Sequence, residues 1–357
     1  MELKNHPLYK EDIQAIVQDK NLPWEKLYGK SILITGATGM IGSCVTDVLL
    51  AANKTLNAKI HVYAMGRSAA RAQKRFEQDW EDAQFTFIEQ DVSCPWQGEE
   101  KADYILHAAS NADPRSFAQY PVDTICANFL GMQHALELAR RQKSQRVLFV
   151  SSGEMYGQPT ETLDGFTETY CGPVDYAGAR ACYPAGKRAA EVLCHCYESQ
   201  YGVESVIARP CHIYGPTMTK TDSRAVAQFI RNAVAGEEIV LKSEGLQERS
   251  LCYVTDTASA VLYILLKGQV GQAYNIADPE IVLSVRQLAE AIAAAGKTNV
   301  VFDLPDEVEK TGYTRVTRAV LRAEKLLGLG WKAKVPLEKG LEKTILICRA
   351  AAGLENE

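Results

Sequence analysis

Ser31-Ile32-Leu33-Ile34-Thr35-Gly36-Ala37-Thr38-Gly39-Met40-Ile41-Gly42 runs from a short apolar segment into a glycine turn and on into an amphipathic stretch that ends near Leu50. The first five residues read as a buried strand, and the stretch after the turn reads as a helix. The glycines follow G-x-x-G-x-x-G, and each has a physical job. Gly36 permits the tight turn. Gly39 lets backbone approach a pyrophosphate with no Cβ in the way. Gly42 allows close packing of helix on strand, and the helix N-terminus then offers free N–H groups to an anion. In this strand–turn–helix setting, with Thr38, Met40 and Ile41 completing the turn, the motif predicts dinucleotide binding.

Working outward, the same rhythm repeats. Lys59–Met65, Gln84–Glu89, Asp103–His107, Arg146–Val150 and Ser205–Arg209 read as strands; Ser68–Trp80, Pro121–Arg141 and Ala179–Tyr201 read as helices. Short apolar strands alternating with helices require parallel pairing, because each parallel neighbour needs a crossover. The expectation is an α/β fold with a doubly wound parallel sheet over residues 30–210. Residues 1–29 read as a helical extension, with Leu8, Ile13, Ile16 and Val17 at helical spacing and Pro23 closing the pattern. After residue 211 the rhythm breaks. Short strands (238–241, 273–276, 300–302) and helices (223–235, 255–267, 285–295, 337–350) suggest that 211–357 is mainly a smaller α/β substrate-binding cap, some of whose segments return to the sheet domain.

Composition excludes several classes. The 357 residues are 46% hydrophobic and 23% charged, enough apolar material for a sizeable core. A net charge of −5 argues against nucleic acid as a partner, since tracking phosphates needs excess Lys and Arg. No apolar run approaches the roughly 20 residues of a bilayer span. The polar N-terminus lacks a signal peptide's apolar middle, so a cytoplasmic location is expected. The ten cysteines show no C-x-x-C pair, and Cys194-His195-Cys196 lies in a helix where adjacent residues point apart; no metal is expected.

Two stretches refine the dinucleotide reading. The end of the second strand is Met65-Gly66-Arg67-Ser68, where NAD sites usually carry Asp or Glu. Arg67 fits a 2′-phosphate, which leaves NADP open beside NAD, or stacking on adenine. Asp91 and Val92, after the third strand, are placed to meet the adenine.

The chemistry-bearing residues follow the fifth strand. Tyr183-Pro184-Ala185-Gly186-Lys187 is Y-x-x-x-K, which on a helix puts both side chains on one face. A nearby ammonium is expected to bring the tyrosine pKa down toward working pH, so that Tyr183 takes a hydroxyl proton while hydride leaves the same carbon. Ser151-Ser152-Gly153-Glu154-Met155-Tyr156-Gly157 sits where a parallel sheet presents catalytic groups. Ser152 is a hydrogen-bond partner for the reacting hydroxyl. Glu154 is an acid/base candidate or an exposed loop carboxylate. Asn128 is a structural bend or part of a proton relay.

With GATGMIG, HAAS at 107–110, Asn128, SSGEMYG, YPAGK and RPCHIYGP at 209–216, the chain from about Lys30 to Trp331 resembles the extended short-chain dehydrogenase/reductases, Rossmann-fold NAD-dependent epimerase/dehydratases acting on nucleotide sugars. Within them, Arg180-Ala181-Cys182-Tyr183 and Gly186-Lys187-Arg188, the stretch Asp222–Ile230, and Gln247-Glu248-Arg249 with Tyr253-Val254 resemble the UDP-glucuronate decarboxylases. The resemblance implies bound NAD lined by Ala108, Ala109, Ser110, Asn128, Ser151, Pro210, His212, Tyr183 and Lys187. It implies substrate contacts from Ser110, Glu154, His212, Arg224 and Arg249, with Arg224 or Arg249 gripping the diphosphate of a UDP-linked sugar. It also implies a homodimer through the long helices. Gly153 stands where the decarboxylases carry Ser, and His212 where the family carries Asn. The implied reaction oxidises C4 of a nucleotide-linked hexose; decarboxylation, 4,6-dehydration and 4-epimerisation all branch from the resulting ketone. The readings of another class are a dinucleotide-sensing protein without turnover and an ordinary ketone reductase on a free metabolite.

Overall fold

The computed structural model describes residues 3–98, 100–160, 163–303 and 318–354. Its strands are β1 (Ser31–Thr35), β2 (His61–Gly66), β3 (Phe85–Glu89), β4 (Tyr104–His107), β5 (Arg146–Val150), β6 (Ser205–Pro210), β7 (His212–Tyr214), β8 (Ile239–Leu241), β9 (Glu248–Tyr253), β10 (Ala273–Ile276), β11 (Val282–Ser284), β12 (Val300–Phe302) and β13 (Arg318–Ala319). Its helices are α1 (Pro7–Val17), α2 (Met40–Leu56), α3 (Ala69–Arg75), α4 (Pro114–Gln119), α5 (Pro121–Gln142), α6 (Cys182–Tyr201), α7 (Ala225–Ala235), α8 (Val254–Lys267), α9 (Val285–Gly296), α10 (Glu324–Leu327) and α11 (Leu337–Ala352).

Seven strands form one sheet in the order β10-β6-β5-β4-β1-β2-β3, and every pairing in it is parallel. The chain runs outward in one direction from β1 and in the other from β4. The switch between β1 and β4 opens a crevice at the carboxyl ends of these strands, where open α/β sheets take their ligands. Strands β1, β4 and β6 are buried almost throughout, as two helix-covered faces require.

Several expectations change. The strand at 273–276 is one of the segments after residue 211 that return to the main sheet, where it is the edge strand beside β6. Helix α8 goes with it, since its Val254, Ala258 and Val261 share a core with Ile34 and Val45. A parallel neighbour for β6 needs a long crossover, and part of the cap is inserted into that crossover, which breaks the linear rhythm. The helix expected over 68–80 ends at Arg75 and continues as a 3-10 turn. The helix expected from 179 begins at Cys182 after a 3-10 turn. Strands β7, β9, β11 and β13 and helices α4 and α10 have no counterpart among the elements expected from the sequence.

The N-terminal segment is no loose extension. Tyr9, Ile13, Ile16, Val17, Trp24 and Leu27 belong to the same core as the sheet. The Tyr9 phenol donates to Asp47 of α2 at 2.7 Å. Asp12 accepts from Tyr253 at the end of β9 (3.1 Å) and from Lys343 of α11 (2.5 Å). Helix α1 therefore ties the glycine-loop helix to the cap. No described helix is long and apolar enough to cross a membrane.

Candidate active site

The glycine turn is as tight as the motif demands. Gly36 has φ +67°, and a Cβ there would lie 2.7 Å from Ala109 Cα. A Cβ on Gly42 would lie 2.4 Å from the Gly36 carbonyl oxygen. Gly39 caps α2 with no side-chain hydrogen bond, so the first N–H groups of the helix face the crevice without a capping side chain. The Ala108–Ala109 backbone closes the other side, held by the Ala109 N–H donating to Thr35 Oγ1 at 3.2 Å. Arg71, which the sequence reading passed over, donates to the Thr38 carbonyl at 3.3 Å. A cradle that any side chain would fill, open helix N–H groups, and the buried Asn128 Oδ1 without a partner among the described residues suit a dinucleotide.

Arg67, Asp91 and Val92, the residues expected to meet the adenine, lie beyond the ends of β2 and β3. Arg67 is exposed just beyond β2. Burial raises the Asp91 carboxyl, but hydrogen bonds from Ser93 and the charge of Arg67 outweigh it and hold the group below its usual range. The Val92 carbonyl contacts His134 Nδ1 at 2.9 Å.

Residues from β5, α4 and α6 gather around Tyr183. The Tyr183 ring is 6% exposed and stacks on Phe117, with 4.6 Å between centroids. Ser152 caps the turn Gly153–Tyr156 by accepting the Glu154 N–H at 3.1 Å, and it stands beside the Tyr183 phenol, where it favours the phenolate. Lys187, one helical turn on, is buried; its Nζ donates to the Val150 carbonyl at 2.7 Å and lies 5.6 Å from the Tyr183 ring centroid. Burial lowers Lys187 to about 7, with Glu191 opposing.

The expected fall of the tyrosine pKa is not found in the protein alone. Burial and the charge of Glu154 push Tyr183 up to about 12, against smaller opposing effects of Ser152, Arg224 and Arg180. The cause is desolvation, which disfavours the phenolate in a closed pocket.

Other expected residues have different partners from those anticipated. The Ser151 hydroxyl donates to Glu191 at 2.5 Å and so belongs to a buried network rather than to the crevice. In that network Arg209 reaches both Glu191 oxygens (3.0 and 2.6 Å) and the Tyr156 hydroxyl (2.9 Å), and Tyr156 donates to Asn275 at 2.6 Å. Together these fix the loop that carries Ser152 and Glu154. Ser110 donates to the neighbouring Asn111 carbonyl. Asn128 donates to the Thr124 carbonyl at 2.7 Å and lies beside Gly186, whose missing side chain lets α6 approach α5.

The cap supplies the remaining charges. Arg224 is not free: its guanidinium is bound to Asp222, closest at 2.6 Å, and also touches the Met40 sulfur at 3.5 Å. Thr217 donates to the Met40 carbonyl at 2.9 Å, so cap and glycine helix meet directly. Ser223 donates to Asp113 at 2.6 Å and bridges the crevice mouth. Burial, reinforced by Arg249 and Arg224, holds His212 down to about 3 and therefore neutral. Arg249 donates to the Glu248 carbonyl and feels the charge of Glu154. Arg180, three residues before Tyr183, pairs with Glu154 at 2.7 Å. Pro210 ends β6, its carbonyl 3.5 Å from where a Gly153 Cβ would sit.

The description "NAD dependent epimerase/dehydratase family" matches residues 32–277. This chain belongs to that family. UDP-glucuronic acid decarboxylase 1 of Xenopus tropicalis is 34% identical over 320 residues, covering 88% of this chain and 71% of that protein. UDP-glucuronic acid decarboxylase 6 of Arabidopsis thaliana is 34% identical over 310 residues, covering 87% and 86%. The family fold is shared with solved structures of lower identity. The UDP-glucose 4-epimerase of Thermotoga maritima superposes with a TM-score of 0.75 at 22% identity, over 90% of this chain and 99% of that one. A dTDP-glucose 4,6-dehydratase of Streptomyces venezuelae superposes at 0.76 and 23% identity, over 90% and 98%.

Proposed function

We propose that this family member is an NAD-dependent enzyme that oxidises C4 of a nucleotide-linked hexose, with UDP-glucuronate as substrate and decarboxylation as outcome. The observation that carries the reading is the gathering of Ser152, Glu154 and Lys187 around Tyr183 at the carboxyl edge of the sheet. The named relatives support the choice of substrate.

When bound, NAD supplies a reversible acceptor for hydride from C4. Ser152 orients the C4 hydroxyl and Tyr183 takes its proton. Tyr183 lies at about 12, so positive charge beside it is needed to favour the phenolate; Arg224 and Arg180 supply part of it, and Lys187 stands one helical turn on. With C4 a ketone, a carboxylate on C5 becomes that of a β-keto acid. The C5–C6 bond breaks, CO₂ leaves, and the bonding pair moves toward the C4 oxygen as an enolate. A proton from water is added at C5; hydride and the Tyr183 proton then return to C4 and its oxygen. The net change replaces the carboxylate by hydrogen.

A 4,6-dehydratase is the second reading, favoured by the exposure of the Glu154 carboxylate beside Tyr183, where it could remove a C5 proton. Incubating the purified protein with UDP-glucuronate, UDP-glucose and dTDP-glucose and reading product masses tests both. Loss of CO₂ from UDP-glucuronate is the expected result; loss of water from a neutral sugar would replace decarboxylation with dehydration. Net consumption of added cofactor would mark a simple reductase.

The proposal extends to assembly and setting. Val122, Ile125 and Phe129 share a face of α5 and are exposed, as is Val192 on α6; a second copy covering this face makes a homodimer. Ten unpaired cysteines accord with a cytoplasmic enzyme. The cap formed by α7, α9, α11 and β7–β9 with β11–β13 is read as the substrate-binding part.

A further inference from the structure

Arg180 occupies a position that the reaction scheme leaves without a task. Its guanidinium donates to Glu154 at 2.7 Å and lies over the Phe117 ring, 4.6 Å from the centroid. Phe117 in turn stacks on Tyr183. The side chains of Arg180 and Glu154 are 56% and 41% exposed, whereas Tyr183 is 6% exposed, so the ion pair lies open beside a closed phenol.

We propose that Arg180 is the specificity-determining counter-ion for the C6 carboxylate of the bound sugar, which takes the place of Glu154 on the guanidinium. This deepens the decarboxylase reading and rests on it. A hexose whose C4 hydroxyl meets Tyr183 carries C6 two bonds further on, in the space beside the phenol. A carboxylate arriving there meets the negative charge of Glu154, and like charges at close quarters select against a ligand unless a cation stands between them. Of the other crevice cations, Arg224 is held on Asp222 and Lys187 on the Val150 carbonyl, while Arg249 donates to the Glu248 carbonyl and feels the charge of Glu154. Arg180 alone of these is paired with a carboxylate in an exposed position. A guanidinium fork accepts either carboxylate in the same geometry, so the exchange swaps one charge-assisted pair for another. A neutral CH₂OH offers nothing that displaces Glu154. The sugar's own oxidation state at C6 therefore decides whether Glu154 is released.

The test compares binding of UDP-glucuronate, UDP-glucose and UDP-xylose to the NAD-loaded wild type and to Arg180→Leu, Arg180→Lys and Glu154→Gln, by calorimetry, with kcat and KM for UDP-glucuronate. The wild type is expected to prefer the uronate. Arg180→Leu loses roughly 10- to 100-fold in affinity for UDP-glucuronate, the size of a charge-assisted hydrogen bond, and keeps its affinity for UDP-xylose, which also shows that it is folded. Arg180→Lys recovers part of the loss. Glu154→Gln, with the competing carboxylate gone, binds UDP-glucuronate at least as tightly as the wild type. If Arg180→Leu keeps the wild-type preference, or loses both ligands equally, the inference is wrong and the decarboxylase reading stands. A wild type that shows no preference and releases no CO₂ sinks the reading itself and the inference with it.

Discussion

The hydroxyl of Ser152, just past the carboxyl end of β5, stands beside the phenol of Tyr183 on α6 and favours its ionised form. The two residues are brought together by the adjacency of strand and helix, and the phenol is otherwise shut in by Phe117. Tyr183→Phe removes only the hydroxyl and keeps the stack. Turnover should fall by at least about 10²-fold, the usual worth of a positioned acid–base group, while NAD affinity hardly changes. Single-turnover NADH absorbance and NAD titration measure the two separately. Undiminished turnover would overturn the assignment of Tyr183.

Gly42→Ala places a methyl group 2.4 Å from the Gly36 carbonyl oxygen, backbone against backbone. The loop must shift, at a strain of about 1–3 kcal/mol, and the cradle shifts with it. NAD affinity is expected to drop by about tenfold or more, read by fluorescence titration. A variant that binds NAD like the wild type would show that the loop does not hold the pyrophosphate.

Glu191 and Arg209 form a buried pair behind the Ser152 loop, with side chains 6% and 9% exposed. Glu191→Gln leaves the guanidinium underpaired and should cost about 3–5 kcal/mol in urea unfolding. Replacing both residues with leucine should cost less than the sum of the two single changes, because no charge is then left stranded. Catalysis should suffer even where the fold survives, since the same network holds the Ser152 loop.

His107 is buried between Thr35 Oγ1 (2.8 Å) and the Ala127 carbonyl (3.2 Å), and burial lowers it to about 3. In the unfolded chain it titrates near its ordinary value of about 6.5. Below that pH the unfolded state binds the proton and the folded state does not. The stability linked to this residue is thus complete above about 6.5 and is lost as pH falls toward 3, with a limiting slope of about 1.4 kcal/mol per pH unit. Denaturant unfolding between pH 7 and 4 should show a shallower acid slope in His107→Asn. Equal slopes would mean that the ring is not buried neutral.

The central strands were legible because Ile32–Ile34 and Val147–Val150 are continuous apolar runs bounded by turns, the signature of strands covered on both faces. β10 carries a similar signal, yet its place could not be read, since its partner β6 ends 63 positions earlier with part of the cap inserted between. Ser152, Tyr183 and Lys187 were legible because strand end and helix turn fix them locally. The Glu154–Arg180 pair was not: 26 residues separate the two, and only tertiary packing brings them together. The Tyr183 shift was misjudged for a related reason. Sequence shows the charged neighbour, but the degree of burial, which dominates, is a property of the assembled fold.

Helix α1 is threaded into the core, yet the lysine that meets its Asp12 comes 331 residues later. On the ribosome this helix therefore emerges long before Tyr253 and Lys343 exist to receive it. Its Tyr9 meets Asp47 of α2 within the first fifty residues, but Asp12 waits for its two partners until synthesis has passed Lys343. A ribosome stalled shortly before Lys343 would hold a sheet whose N-terminal clasp is still half undone.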